Sequence, residues 1–171
     1  MIQMPKLHRL PLLFAAVFIL VGCAGHPKPA VTQSATHRIK NVRTTAYSKG
    51  EAGGRNNAVG IALAGKHLRS AASDWSRFPL GTRFRIVGTK EEYIIDDYGT
   101  ALIGTNTIDL YKPSRLEMKR WGVRHVDIDV LEWGSKEKSL QVLAPRSHHA
   151  HVRKMIVDLQ KHPSDRTTRV D

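Results

Sequence analysis

The chain of 171 residues has room for one domain of ordinary size and little more. Its 27 basic residues against 15 acidic ones give a formal charge of +12, which points to an acidic partner: nucleic acid, an anionic membrane surface or an anionic polymer. A lone cysteine excludes an internal disulfide.

In chain order, Lys6, His8 and Arg9 form a short basic start, and Leu10 to Val21 is apolar apart from Pro11. That run is too short to span a bilayer, which takes about 20 apolar residues. It fits the apolar region of a secretory signal peptide over residues 1–22. Cys23 sits where the run stops. The stretch Leu20-Val21-Gly22-Cys23-Ala24 resembles the lipobox of bacterial lipoproteins, in which the cysteine is lipidated and becomes the new N-terminus. The resemblance implies a membrane partner through a lipid anchor on Cys23. Because Ala24 is not an aspartate, it also implies an outer-membrane anchor facing the periplasm in a two-membrane cell. Removing residues 1–22 takes Lys6 and Arg9 and no acid, leaving 25 − 15 = +10. Export and anchoring count against nucleic acid as the partner, which has only the charge in its favour.

Residues 23–37 read as a tether, with Pro27, Pro29, Thr32, Gln33 and Ser34 and almost nothing to bury. A domain is expected over 38–134. Ile39, Val42 and Thr45 lead into Ala46-Tyr47; Phe84, Ile86 and Val87 make a second apolar stretch; Tyr93-Ile94-Ile95 makes a third. Val126, Ile128 and Val130 alternate with Asp127, Asp129 and Leu131, the signature of a half-buried strand. One short helix is marked by Ser114 three before Glu117, a capping-box spacing, with Leu116, Met118 and Trp121 as its apolar positions and Gly122 to end it. Short strands, glycine-rich turns and one small helix argue for a mainly β protein built as a small barrel. Ser135-Lys136-Glu137-Lys138 reads as a polar break. It opens a basic, partly helical tail over 135–171, with Val152, Met155, Ile156 and Leu159 on one face of a helix.

Three aspartates carry the chemistry. Asp97 ends an apolar strand after Ile94 and Ile95, and Asp109 interrupts another between Ile108 and Leu110. Carboxylates so placed sit on a barrel rim, partly desolvated. Two acids near each other in such a cleft have their titrations driven apart, so that one stays protonated near neutral pH and can donate to a leaving oxygen. Spacing alone favours plainer roles: Asp97 opening a turn before Gly99, and Asp109 capping a loop.

The ordered set changes that balance. Asp74 lies five before Pro79-Leu80-Gly81-Thr82; Asp97-x-Gly99 is followed by Ala101-Leu102-Ile103-Gly104; Asp109-Leu110 closes the series. From about Val42 to Trp133 the chain resembles the three-aspartate (3D) domain, a six-stranded double-psi β-barrel shared with the A family of membrane-bound lytic transglycosylases. Two positions depart from the family pattern: Thr100 replaces a small residue after Asp-x-Gly, and Ile103 replaces a lysine before Gly104. The strand before the first aspartate is Ser70-Ala71-Ala72-Ser73 where the family has Val-Ala-Val.

The resemblance implies cleavage of peptidoglycan glycan strands between N-acetylmuramic acid and N-acetylglucosamine, leaving 1,6-anhydro ends. Asp109 takes the place of the general acid, with Asp97 and Asp74 in support. The sugar's own 6-hydroxyl is the nucleophile, so a second catalytic carboxylate is not obligatory, unlike in the paired-acid hydrolases. Thr45, Tyr47, Gly99 and Gly104 are the expected substrate contacts, with no cofactor. Trp75 and Tyr98 are aromatic neighbours of the motifs, suited to sugar rings but more often core residues. His148, His149 and His151 suggest zinc, but they lie in a polar tail without Cys or nearby acids, which reads as a solvated basic helix rather than a metal site. The alternative to the enzyme is a non-catalytic peptidoglycan-binding module on the same barrel.

Overall fold

The computed structural model describes residues 37–49, 55–63 and 68–161. The signal-like segment 1–22, Cys23 and tether residues 24–36 lie outside the described residues. Six strands form the core: β1 (His37–Tyr47), β2 (Leu68–Ala72), β3 (Arg83–Ile86), β4 (Glu92–Asp97), β5 (Ile108–Tyr111) and β6 (Arg124–Glu132). They close into a barrel in the order β1-β5-β2-β4-β3-β6. The pairs β1·β5 and β2·β4 run parallel and the other four antiparallel. This closed mixed barrel is the class the resemblance implied. Among the described residues, closure leaves no barrel edge open to a second chain.

Alternation fills the interior. Ile108 and Leu110 of β5, Phe84 and Ile86 of β3, Tyr93 and Ile95 of β4, and Ile128 and Val130 of β6 are all buried in one cluster. The small side chains of Ala71 and Ala72 make a strand here because they are buried between two neighbours. Packing replaces the β-branched character that the family shows at this strand.

Two irregularities aim side chains. In β1 a register shift between Ile39 and Val42 accommodates Asn41, whose positive φ of 57° is held by an N–H donated to Asp127 Oδ1 at 3.0 Å. In β4, Ala71 pairs with Ile95 but Ala72 pairs with Asp97, so Asp96 is the extra residue of a β-bulge.

Helix α1 (Arg115–Trp121) starts at the expected Ser114 cap, with Glu117 N–H donating to Ser114 Oγ at 3.2 Å. Its packing differs from the expectation. Leu116 is 59% exposed, and the helix docks instead through Trp121. The Trp121 ring faces the Lys112 ammonium at 4.2 Å and the Arg124 guanidinium at 4.6 Å, and its Nε1–H donates to Thr44 Oγ1 at 3.2 Å. Seven residues give too little apolar surface for a buried stripe, so one aromatic anchor takes its place.

Beyond β6 the polar stretch Ser135–Lys138 is not a break. Ser135 caps a second helix, α2 (Lys136–Leu143), and receives the N–H of Lys138 at 3.1 Å. The expected basic helix forms as α3 (Ala150–Lys161). Leu143 of α2 and Val152, Met155 and Leu159 of α3 join the same core cluster as Trp75 and Phe78. The charges of α3 are solvated on one side only.

Candidate functional site: a carboxylate-lined cleft

The two rim aspartates are positioned by register. Thr45 of β1 is paired with Asp109 of β5 across the parallel ladder, and the Thr45 hydroxyl donates to Asp109 Oδ1 at 2.6 Å. Ile108 and Leu110 point into the core, so pleating turns Asp109 outward. On the other side of β2, Asp97 ends β4. Its Oδ1 accepts the N–H of Tyr98 at 2.9 Å and of Ala58 at 3.0 Å, and its Oδ2 faces the Tyr47 hydroxyl at 3.4 Å. Both carboxylates line one cleft of about 580 Å³ with Arg43, Thr45, Tyr47 and Tyr98, and the turn Gly99–Leu102 forms one wall. Arg43 reaches across to Thr107 Oγ1 at 3.2 Å, placing a cation in the cleft.

Burial pushes the Asp97 carboxyl up to about 6, opposed by the Tyr98 N–H. The neighbouring negative charge that adds to the rise is that of Asp96, the bulge residue, and further donation from Ala58 N–H and Tyr47 opposes it. Burial also raises Asp96, against hydrogen bonds from Ser70 and Asn57. The Tyr47 hydroxyl is pushed far up by burial, so it stays neutral at any working pH. An acid titrating near 6 beside a cleft can hold a proton and release it near neutral pH.

Asp74 plays a different part. It is fully buried; its Oδ1 accepts Ser76 N–H at 2.9 Å and Ser76 O–H at 2.8 Å, and its Oδ2 accepts Gly104 N–H at 2.6 Å. Its carbonyl caps the next turn through Arg77 N–H and Phe78 N–H. Asp74 thus ties the turn after β2 to the Gly104 corner. Gly104, at φ +84°, serves this bond and is not among the cleft-lining residues, whereas Gly99 is. Trp75 is buried, and its indole Nε1–H donates to the Asp97 carbonyl at 2.8 Å; Tyr98 meets it edge-on at 5.1 Å and lines the cleft.

Reading by motif passed over Asp96, Ser70, Arg43 and Ala58. The adjacent pair Asp96-Asp97 was visible in the sequence. That both carboxylates meet one hydroxyl network depends on the bulge, which leaves no mark in the local pattern.

A closed six-stranded barrel thus carries at its rim one cleft lined by two carboxylates. Residues 69–132 match the family described as the 3D domain. The matched stretch covers Asp74, Asp97 and Asp109; Thr45 and Tyr47 come from β1, before it. The chain is 30% identical over 118 residues to YabE of Bacillus subtilis (strain 168), which is named for cell wall shaping. That similarity takes in 67% of this chain and 28% of YabE, so the chain spans under a third of that relative's length.

Proposed function

We propose that this is a lipid-anchored cell-envelope protein whose 3D barrel cleaves peptidoglycan glycan strands between N-acetylmuramic acid and N-acetylglucosamine. Asp109 protonates the glycosidic oxygen. The 6-hydroxyl then closes on the anomeric carbon, and the Asp109 carboxylate takes up the hydroxyl proton, so the acid is regenerated without water. The supporting observation is the bond from Thr45 to Asp109 at 2.6 Å inside a cleft that also holds Asp97. It fixes the carboxylate in one orientation, as an acid aimed at a single oxygen must be. Arg43 and the +10 charge left after removal of residues 1–22 favour an anionic polymer such as peptidoglycan. The name of the relative in Bacillus subtilis agrees with a role at the cell wall.

The test is digestion of purified sacculi, with 1,6-anhydro muropeptides read by mass spectrometry. Wild type should release them and folded Asp109→Asn should not. If wild type releases none but sediments with sacculi, the barrel is a binding module, and catalysis by Asp109 is withdrawn. The anchor is tested separately: palmitate incorporation should be lost in Cys23→Ser, and unchanged labelling would remove the lipid from the proposal.

A further inference from the structure

Four side chains form one hydrogen-bonded line from the cleft into the β2–β4 seam. The Tyr47 hydroxyl lies 3.4 Å from Asp97 Oδ2 and 3.0 Å from Ser70 Oγ, and Ser70 Oγ donates to Asp96 Oδ1. Ser70 is buried, 7% exposed, and sits on β2 beside β4. Regular pleating would send the adjacent side chains Asp96 and Asp97 to opposite faces. The bulge at Asp96 lets both reach hydroxyls of the same line.

We propose that Asp96 and Asp97 share one proton through Ser70 and Tyr47, and that Asp96 is the positioning residue that sets which carboxylate is neutral. In one state Asp97 is protonated and donates to the Tyr47 oxygen. Tyr47 donates to Ser70, Ser70 donates to Asp96, and Asp96 carries the charge. In the other state each O–H bond of the line breaks toward its neighbour. Asp96 then holds the proton and donates to Ser70, Ser70 donates to Tyr47, and Tyr47 donates to Asp97. Three protons and one negative charge are present in both states, so no co-reactant is needed. Each hydroxyl has one proton to give, which forces the line to point one way or the other. Tyr47 can relay but not ionise, because burial keeps its phenol neutral.

The other groups facing this line are Asp109 and Arg43 in the cleft, Asn57 on the loop over Asp96, and Arg146. Arg146 donates to the Ala58 carbonyl at 2.8 Å and approaches the Tyr98 hydroxyl at 3.5 Å, behind the loop that donates to Asp97. The line leaves the cleft one negative charge from the Asp96–Asp97 pair instead of two. In the state with Asp97 protonated, the carboxyl opposite Asp109 is neutral. This last role rests on the glycan-cleaving reading; the shared proton does not.

The experiment therefore needs no activity. The full chain, with its aspartate side-chain carbons labelled, is titrated by NMR as wild type, Asp96→Asn, Ser70→Ala, Tyr47→Phe and Asp109→Asn. In wild type the Asp96 and Asp97 resonances should each report the same two steps, as coupled sites do. Ser70→Ala and Tyr47→Phe should each reduce both residues to separate single steps. Asp96→Asn should bring the Asp97 midpoint down by about one pH unit or more, the size of coupling that defines a pair. Asp109→Asn should leave the shared steps in place. Single, independent steps for Asp96 and Asp97 in wild type would overturn the proposal. So would Asp97 titrating unchanged in both Asp96→Asn and Ser70→Ala. If the shared steps appear but sacculi are not cut, the shared proton stands and the glycan-cleaving reading falls.

Discussion

Asp97 and Asp109 are register partners of the same residue, Ala72, from its two sides: β4 brings Asp97 alongside it in parallel and β5 brings Asp109 alongside it in antiparallel. Two strand spacings therefore separate their backbones, roughly 9–10 Å. The methyl of Ala72 keeps the space between them low. A larger side chain there would stand between the two acids, and Ala72 is itself a cleft-lining residue.

This arrangement gives Asp109 and Thr45 separable effects on glycan cleavage. Asp109→Asn keeps the shape of the rim but has no proton to give, so product release should fall by about 10²–10⁴ with an unchanged circular dichroism spectrum. Thr45→Val removes one hydrogen bond to a carboxylate, worth about 1.5–3 kcal/mol, and should cost roughly ten- to a hundredfold while leaving the chemistry in place. Equal rates for wild type and folded Asp109→Asn would end the assignment.

The Asp97 carboxyl predicts a pH dependence of stability. Its folded value is raised to about 6, above the roughly 3.9 of an unfolded chain. The folded state therefore binds more protons between those values, so the contribution of Asp97 is present below about pH 4 and is lost as pH rises through about 6. After allowance for partial solvent screening, the loss is roughly 1–2 kcal/mol. Asp97→Asn cannot ionise, yet its amide oxygen can still accept from Tyr98 N–H and Ala58 N–H. Its stability relative to wild type should rise by that amount between pH 4 and pH 7, measured by urea unfolding at each pH. A constant difference across the range would contradict the burial argument.

Asp74 should behave as a strut. Asp74→Ala leaves the N–H of Ser76 and of Gly104 without their acceptor; both bonds are part-buried, so losing each costs about 1 kcal/mol. The variant should lose several degrees of melting temperature, at about 2–4 °C per kcal/mol for a chain of this size. Activity should fall only where the fold falls. A variant of full stability that is inactive would move Asp74 into the chemistry.

Much of the barrel was legible because its strands are apolar stretches closed off by glycine. β1, β3, β4 and β6 all appear as such, and Asp109 is flanked by the core residues of β5. The Ser114 cap of α1 was legible for the same local reason. What stayed hidden depends on partners distant in sequence. Leu116 looks like a core position until Trp121 is seen to anchor the helix. Ser135–Lys138 looks like a break because three of its four residues, all but the Ser135 cap, are charged and solvated, and only Ser139 and Leu143 reveal the buried side of α2. The role of Asp96 needed the bulge.

The C-terminal helices supply core that the barrel lacks. Met155 of α3 is fully buried, and its sulfur receives the Trp75 N–H at 3.4 Å. Met155→Ala should destabilise the chain by about 2–5 kcal/mol, with Trp75 fluorescence shifted toward that of a wetter indole. Unfolding should remain a single transition, because α3 and the barrel share one cluster. Separate melting of α3 would show that it docks on the barrel without being part of its core.

Gly134 gives the sharpest steric prediction. The turn Pro79–Thr82 is closed by Thr82 N–H and Thr82 O–H, which both donate to the Pro79 carbonyl, at 3.0 and 2.7 Å. The chain after β6 is laced to it: Gly134 N–H donates to Thr82 Oγ1 at 3.0 Å, Ser135 N–H to the Leu80 carbonyl at 2.9 Å, and Leu80 N–H to Ser139 Oγ at 2.9 Å. A Cβ on residue 134 would lie 2.3 Å from both the Pro79 and Leu80 carbonyl oxygens and 2.6 Å from Thr82 N. All three are backbone atoms held by those bonds, so none can swing aside as a side chain would. Gly134→Ala must therefore open the lacing, at a cost of about 1–3 kcal/mol by analogy with overpacked cores. Gly88→Ala is the control, since its φ of +79° is strained for alanine but no atom lies within 4 Å of the new Cβ. Strain of that kind alone costs about 1–2 kcal/mol. Gly134→Ala should melt lower than Gly88→Ala, and α2, which hangs on Ser135 and Ser139, should lose hydrogen-exchange protection first. If Gly134→Ala melts with wild type, the close approach of the two segments is not a constraint on the fold.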